Sequence, residues 1–424
     1  MPRAVALLPL RSNDHPSGGT HPFRPVAAGV PACRAWQSKT RRQACLPLRF
    51  PAQLASLVLL LATAFSATAL ATEATIKIGE FASLTGKEAT YGQAAHKGTL
   101  LAVEEINAAG GVLGKKIELI AEDDQSKAGE AATIAKKLIS RDKVVAILGE
   151  ITSGRTLEAA PIAQNAKIPL VSPGATAPEV TAKGDYIFRV CFMDSFQGDV
   201  MAKFARRSLK LSRVALLSSA SNAQSVGLAK IFRQRFVADG GTIALEQKYS
   251  EGDKDFRAQL TAIRAANIEG IFVPGYYAEA ALICKQARDL GLTIPLFGID
   301  GWESPELVNI GGKAVEGAYF STHYSAESGD PSVVAFNERF AKRWNGGTDA
   351  LSALGYDSAM LLIDAIKRAG TTESAKLRAA LAATKNFRGV TGTISFDAQR
   401  NPTKSAVVLQ VKDGKFAFVE SVDP

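Results

Sequence analysis

Short β-type runs alternate with amphipathic helical runs almost without interruption from residue 75 onward, and the series occurs twice. The first series has strand-like runs at residues 75–81, 116–122, 144–148 and 169–171, with helical patterns at 92–109, 128–141 and 156–166 between them. The second has strands at 213–218, 242–248, 270–274 and 295–298. Its helices include one with Leu228, Ile231, Phe232 and Phe236 on a single stripe, then 256–266 and 278–290. Parallel strands need a crossover that returns over one sheet face, so each series implies a parallel sheet covered by helices on both sides. Helical patterns at 331–344 and 351–368 follow, and two strands joined by a turn at Asp413-Gly414 end the chain. The expected class is α/β: two Rossmann-like, doubly wound lobes. No Pro/Gly/Ser-rich linker separates them, which predicts a hinge of short crossings and an interlobe cleft.

The chain has 424 residues, room for two or three domains and a substantial core. Its division is expected as a leader at 1–71, the first part of lobe 1 at 72–190, and most of lobe 2 at 191–318. Residues 319–424 are expected to supply crossover segments, helices returning to lobe 1, and the C-terminal strands. The net charge of +9 hints at nucleic acid until it is located. Residues 1–71 hold eight of the 50 Lys and Arg but one of the 41 Asp and Glu; the rest of the chain holds 42 and 40. The bulk is nearly neutral, which removes the electrostatic reason to expect DNA or RNA as a partner.

Residues 54–71 are 18 uncharged residues rich in Leu, Ala and Val, preceded by Arg41, Arg42 and Arg49 and ending in Ala69-Leu70-Ala71. These are the parts of a secretory signal peptide cleaved near Ala71, with a retained membrane anchor as the competing reading. Residues 1–48, Pro- and Arg-rich and without sustained periodicity, read as unstructured or as an over-extended start. Cys33 and Cys45 fall in the leader; Cys191 and Cys284 remain, as one disulfide or as two buried thiols.

In open α/β sheets ligands lie at the carboxyl ends of the strands. The loops there are 85–91, 150–155, 172–176, 219–225, 275–277 and 300–302. They carry Ser, Thr, Tyr and one isolated acid on Gly-relaxed backbone. Ser153 and Thr176 bear hydroxyls beside free N–H groups, which suits a carboxylate; the plainer reading is a helix cap and a turn residue. Asp300 ends an apolar run, where a carboxylate is costly unless paired or wet, so it is a candidate for a ligand ammonium or simply a turn opener before Gly301. Tyr91 and Tyr276 are either walls of a side-chain pocket or core aromatics. Enzyme signatures are missing: no strand-borne G-x-G-x-x-G, no Walker spacing around Gly111–Lys115, no G-x-S-x-G, and only His96 and His323 after the leader. Asp123-Asp124 reads as a turn rather than a metal site. No cofactor and no metal is expected.

Thr85-Gly86 with Tyr91-Gly92, the run from Ala102 to Gly111 (AVEEINAAGG), and Ala121-Glu122-Asp123-Asp124 follow one another in a familiar order. So do Ala159 to Ala163 (AAPIA), Ser172 to Thr176 (SPGAT), Phe188-Arg189 and Asp300-Gly301-Trp302. From about Thr75 to the C-terminal strands the chain resembles the periplasmic leucine/isoleucine/valine-binding family of ABC-transporter substrate-binding proteins, of the type I periplasmic-binding-protein fold. The resemblance implies that Ser153 and Thr176 hold an amino-acid carboxylate, while the Gly174 carbonyl and Asp300 receive the ammonium. It also implies that Tyr276 lies by the ligand and that Tyr91 borders the side-chain pocket; Trp302, in the strand-end loop 300–302, is a further ligand-binding candidate. Asp at 300 is one methylene shorter than the family's Glu. At Gln224 the family often has Tyr, so a lost aromatic wall there puts the branched-chain preference in question and leaves room for a larger or more polar ligand.

The function so implied is a secreted, periplasmic, non-enzymatic receptor. It closes two lobes on a small amino acid, branched-chain class first, and passes it to the membrane permease and ATPase subunits of an ABC importer, acting as a monomer. The rival readings are a ligand sensor of the same fold, a binding protein for an aromatic acid, urea or a short amide, and an exported hydrolase.

Overall fold

The computed structural model describes residues 75–424, so the leader, its proposed signal peptide, Cys33 and Cys45 lie outside the described residues. The first sheet is built from β1 (Ile76–Ala82), β2 (Ile117–Asp123), β3 (Ala146–Leu148), β4 (Leu170–Ser172) and β5 (Ile187–Arg189), in the order β2-β1-β3-β4-β5. Every pairing in it is parallel. Its inner strands β3 and β4 are buried from end to end, as strands covered on both faces must be. Helices Ala89–Ala108, Glu130–Ser140 and Ser153–Ala166 make the crossovers.

The second sheet has β6 (Arg213–Ser219), β7 (Thr242–Tyr249), β8 (Gly270–Phe272), β9 (Leu296–Gly298) and β10 (Tyr319–Thr322), all parallel. After a separate hairpin of β11 (Phe387–Gly389) and β12 (Gly392–Ile394), β13 (Ala406–Lys412) and β14 (Lys415–Val422) join the β10 edge antiparallel. The order is β14-β13-β10-β9-β8-β6-β7. Its core stacks Phe232 on Phe272 at 4.1 Å and on Phe236 at 5.2 Å.

The long helices Pro331–Trp344 and Ala350–Ala369 pack on the first sheet's core, around Phe336, Leu354 and Leu362. Ala350–Ala369 meets Ala89–Ala108 backbone to backbone. A Cβ on Gly98 would lie 1.9 Å from the Ser352 carbonyl, and one on Gly355 2.1 Å from that of Ala95. Only glycine permits this approach.

The sequence reading does not include β5, β10, the β11–β12 hairpin, the longer helices Asp194–Arg207 and Ser374–Ala382, or the short ones Glu179–Ala182 and Pro305–Gly311. Asp194–Arg207 carries a buried stripe of Val200, Met201, Phe204 and Ala205, a helical signal diluted by Gly198, whose Cβ would press on Ile231 at 2.6 Å. Cys191 and Cys284 are two free buried thiols, both pushed up to about 12 by burial. No helix among the described residues is long and apolar enough to cross a membrane.

Candidate functional site

The carboxyl ends of the two sheets face each other. From lobe 1, the turn after β3 leads into helix Ser153–Ala166, and the turn after β4 carries Gly174 and Thr176. Ser153 stands in the first helical turn rather than before the helix, with Thr152 at the N-cap; its Oγ accepts the Ala177 N–H at 3.1 Å. That bond ties the two lobe 1 turns together. From lobe 2, the turn after β8 ends at Tyr276, N-cap of the helix Tyr277–Asp289, and the turn after β9 supplies Asp300 and Gly301.

These groups meet around a cavity of about 20 Å³ walled by Tyr91, Ile151, Thr152, Gly174, Gln224, Tyr276, Asp300, Gly301 and Leu351. One water needs about that much space, so an amino acid enters only if the lobes part or a wall residue turns aside. Gln224 is the residue in the way. Its Nε2 donates to Thr176 Oγ1 at 2.7 Å and to Asp300 Oδ1 at 3.1 Å, joining an acceptor of lobe 1 to one of lobe 2. Asp300 Oδ1 also accepts the Gly301 N–H at 3.0 Å. Of the residues singled out from sequence, Tyr91, Gly174, Gln224, Tyr276 and Asp300 line the cavity, and Thr176 adjoins it through Gln224. Ser153 is not among the lining residues; its Oγ accepts the Ala177 N–H, which leaves its own O–H free to donate. Trp302 stands apart in the lobe 2 core, its Nε1 donating to the Val273 carbonyl at 3.0 Å and its ring against Gly298.

Tyr91 makes several of the interlobe contacts. Its ring packs edge-on against Tyr276 at 5.6 Å and Tyr277 at 5.0 Å. Its hydroxyl donates to the Gly301 carbonyl and accepts the Tyr277 N–H at 3.4 Å. Nearby, Tyr277 Oη donates to the Lys87 carbonyl at 2.6 Å, Ser304 Oγ bonds Thr90 Oγ1 at 3.1 Å, and Lys87 Nζ pairs with Glu251 at 2.7 Å. The lobes are therefore closed on each other.

The charged groups around the cleft are mostly acidic and buried. In lobe 1 the Arg155 guanidinium pairs with Glu88 at 2.9 Å and approaches Asp124 at 3.5 Å, with Glu150 close by. Burial outweighs Arg155, and at Glu88 also Lys87 at 3.3 Å, so Glu88 is pushed up to about 7 and Asp124 and Glu150 are raised. Asp123 and Asp124 serve as turn acceptors, for Leu84, Thr85 and Gln125 N–H and for Ser126 N–H respectively. Asp194, fully buried beside Thr176 and Gln224, is raised to about 8 by burial and by Asp300. Glu303 is raised to about 8 by burial; it accepts the Ala350 N–H at 2.9 Å and the Thr322 hydroxyl, tying lobe 2 to the start of Ala350–Ala369. No group of three or more His, Cys, Asp and Glu among the described residues is arranged to hold a metal ion.

Sequence reasoning missed Leu351, Ile151, Glu303 and His323. Leu351 comes from a helix start far along the chain and carries no motif. His323 was noted only as one of two histidines, yet it lies 3.1 Å from Asp300.

A family model described as periplasmic binding protein matches residues 75–415. A Leu/Ile/Val-binding protein homolog 3 of Brucella melitensis is 31% identical over 371 residues, covering 86% of this chain and all of its own. Among solved structures, a leucine binding protein LivK from Thermotoga maritima is 39% identical with a TM-score of 0.80, across 82% of this chain and 99% of that one. The branched-chain amino acid transporter substrate binding protein LivJ from Streptococcus pneumoniae, in complex with isoleucine, is 38% identical with a TM-score of 0.79, across 83% and 100%.

Proposed function

The chain belongs to the periplasmic binding protein family, in its Leu/Ile/Val-binding branch, and on that premise we propose that it is the solute receptor of an ABC importer for a branched-chain amino acid. The observation that carries the reading is the convergence of Gly174 and Thr176 from one lobe with Tyr276 and Asp300 from the other on one cavity. Ser153 and Thr176 take the ligand carboxylate at the lobe 1 turns, where helix Ser153–Ala166 presents its N-terminus. Asp300 and the Gly174 carbonyl take the ammonium. Gln224 rotates off Thr176 and Asp300 as the ligand enters, exchanging its two amide bonds for the ligand's charged ones. Ligand bound to both lobes then favours the closed form, because only that form offers both sets of contacts.

The receptor acts in the periplasm as a monomer, delivers its ligand to permease and ATPase subunits, and performs no chemistry on it. The two moving bodies are the first sheet with its helices, Pro331–Trp344 and Ala350–Ala369 included, and the second sheet with its helices and the C-terminal strands β13 and β14. An ammonium acceptor at Asp300 favours amino acids over aromatic acids, urea or amides, which bring no ammonium to pair. The test is a thermal-shift panel on the chain after unfolding and refolding to strip carried ligand. Ligand at about 100 times its Kd adds about 2.7 kcal/mol of stability. A rise with Leu, Ile or Val is expected; a rise with benzoate, urea or acetamide and none with any amino acid refutes the reading.

A further inference from the structure

The parallel register between β9 and β10 pairs Tyr319 with Phe297 and Phe320 with Gly298. The chain leaving β10 therefore emerges beside the chain leaving β9, and His323 comes to face Asp300. Its Nε2 lies 3.1 Å from Asp300 Oδ2, while Asp300 Oδ1 is occupied by the Gly301 N–H and the Gln224 amide. The His323 side chain is wholly buried and its ring stacks on Phe192 at 3.7 Å. Its Nδ1 has no partner among the described residues.

These facts select one protonation state. Burial pushes the imidazole below its ordinary value, against the pull of Asp300, and so favours the neutral ring; the other charged group acting on it, Lys404, pushes the same way. Of the two neutral tautomers, one places its N–H on Nε2, where the carboxylate accepts it. The other buries an N–H on Nδ1 without an acceptor and turns a lone pair toward a carboxylate, which costs more. His323 is thus a donor stacked on Phe192 and aimed at Oδ2, the carboxylate oxygen that Gln224 and the Gly301 N–H leave open.

We propose that His323 is a positioning residue for ligand recognition: it fixes the Asp300 carboxylate in the orientation that receives the ammonium of an amino acid, and so sets the preference for amino acids over ligands lacking an amino group. The inference rests on the functional reading above. It also accounts for an Asp serving at this position. A carboxylate on a shorter stem has less reach, and a donor behind it holds it forward.

Leucine and 4-methylpentanoate, which is leucine without its amino group, are titrated calorimetrically against the wild type and two variants. His323→Phe keeps an aromatic ring on Phe192 and deletes the donor; His323→Gln replaces the ring with an amide N–H. His323→Phe is expected to weaken leucine about tenfold and leave 4-methylpentanoate unchanged, with His323→Gln returning to within about threefold of wild type. In an Asp300→Asn background His323→Phe should cost nothing further. Should His323→Phe fail to fold, His323→Asn, whose amide stops short of Asp300, takes its place. A donorless variant that still prefers leucine as strongly as wild type overturns the proposal, as does one that weakens both ligands equally. A wild type that does not prefer leucine overturns the functional reading, and the inference with it, before any variant is measured.

Discussion

Tyr91→Phe isolates the closing contact. The substitution removes one oxygen and keeps the ring that packs edge-on against Tyr276 and Tyr277, so the buried aromatic cluster survives. What is lost is the bond donated to the Gly301 carbonyl and the weaker one accepted from Tyr277 N–H at 3.4 Å. In the closed form the Gly301 carbonyl is then buried without its donor; in the open form water satisfies it. A net hydrogen bond is worth about 1 kcal/mol and a buried unpaired acceptor about 1–3. Closure should therefore become less favourable by about 1–2 kcal/mol, a factor of roughly 5–30. Apparent affinity scales with the closed population, so the leucine Kd should rise by that factor. Stopped-flow displacement should show most of the change in the dissociation rate, since opening precedes release. The melting temperature of the ligand-free protein should barely move. A leucine Kd within about twofold of wild type refutes the reasoning, because it means that the Tyr91 hydroxyl contributes no more to the closed form than to the open one.

Asp300→Asn should weaken leucine by at least about tenfold, from the loss of a charge-assisted bond worth roughly 1.5–3 kcal/mol, without weakening 4-methylpentanoate; calorimetry checks both. Gly98→Ala drives a Cβ to 1.9 Å from the Ser352 carbonyl, and such overpacking costs about 1–3 kcal/mol or more, so chemical denaturation should show that loss or the variant should fail to fold. Asp194 and Glu303 at about 8 and Glu88 at about 7 all retain protons that the unfolded chain releases at lower pH. The folded state then binds more protons, and the melting temperature should fall from about pH 5 to about pH 7.5. His96, raised by its bond to Glu80, acts in the same direction; His323, lowered by burial, opposes it at the acid end, and Lys404, lowered to about 8, opposes it only above that range. Asp194→Asn should flatten the slope, and a melting temperature that climbs across this range contradicts the assignment.

The fold was legible where local signals were strong. Helix Pro331–Trp344 matches at both ends, because Pro331 starts it beside the Asp330 cap and Asn345 stops it in the left-handed conformation. The inner strands β3, β4, β8 and β9 read as short apolar runs because burial on two faces forbids alternation. Asp194–Arg207 was lost because Gly198 sits in its buried stripe for a tertiary reason, the approach of Ile231. The site was legible as a set of loops and only partly as a set of contacts. Gly174, Tyr276 and Asp300 follow from their places at strand ends. The bridge from Gln224 to Thr176 and Asp300 depends on a rotamer, and His323 reaches Asp300 through a strand register. Leu351 arrives from another lobe's helix. None of these has a local signature, because each pairs residues whose neighbourhood exists only after folding. Trp302 shows the converse: a motif residue beside the site that serves the core.

On this mechanism two lobes close on one amino acid through a carboxylate site on the first and an ammonium acceptor on the second. Calorimetric titration of the stripped protein with leucine, then with 4-methylpentanoate, tests it most directly. The account predicts one leucine per chain and at least about tenfold weaker binding of the analogue, as expected for loss of a charge-assisted bond. Equal or tighter binding of the analogue, or no binding of any branched-chain amino acid, contradicts it.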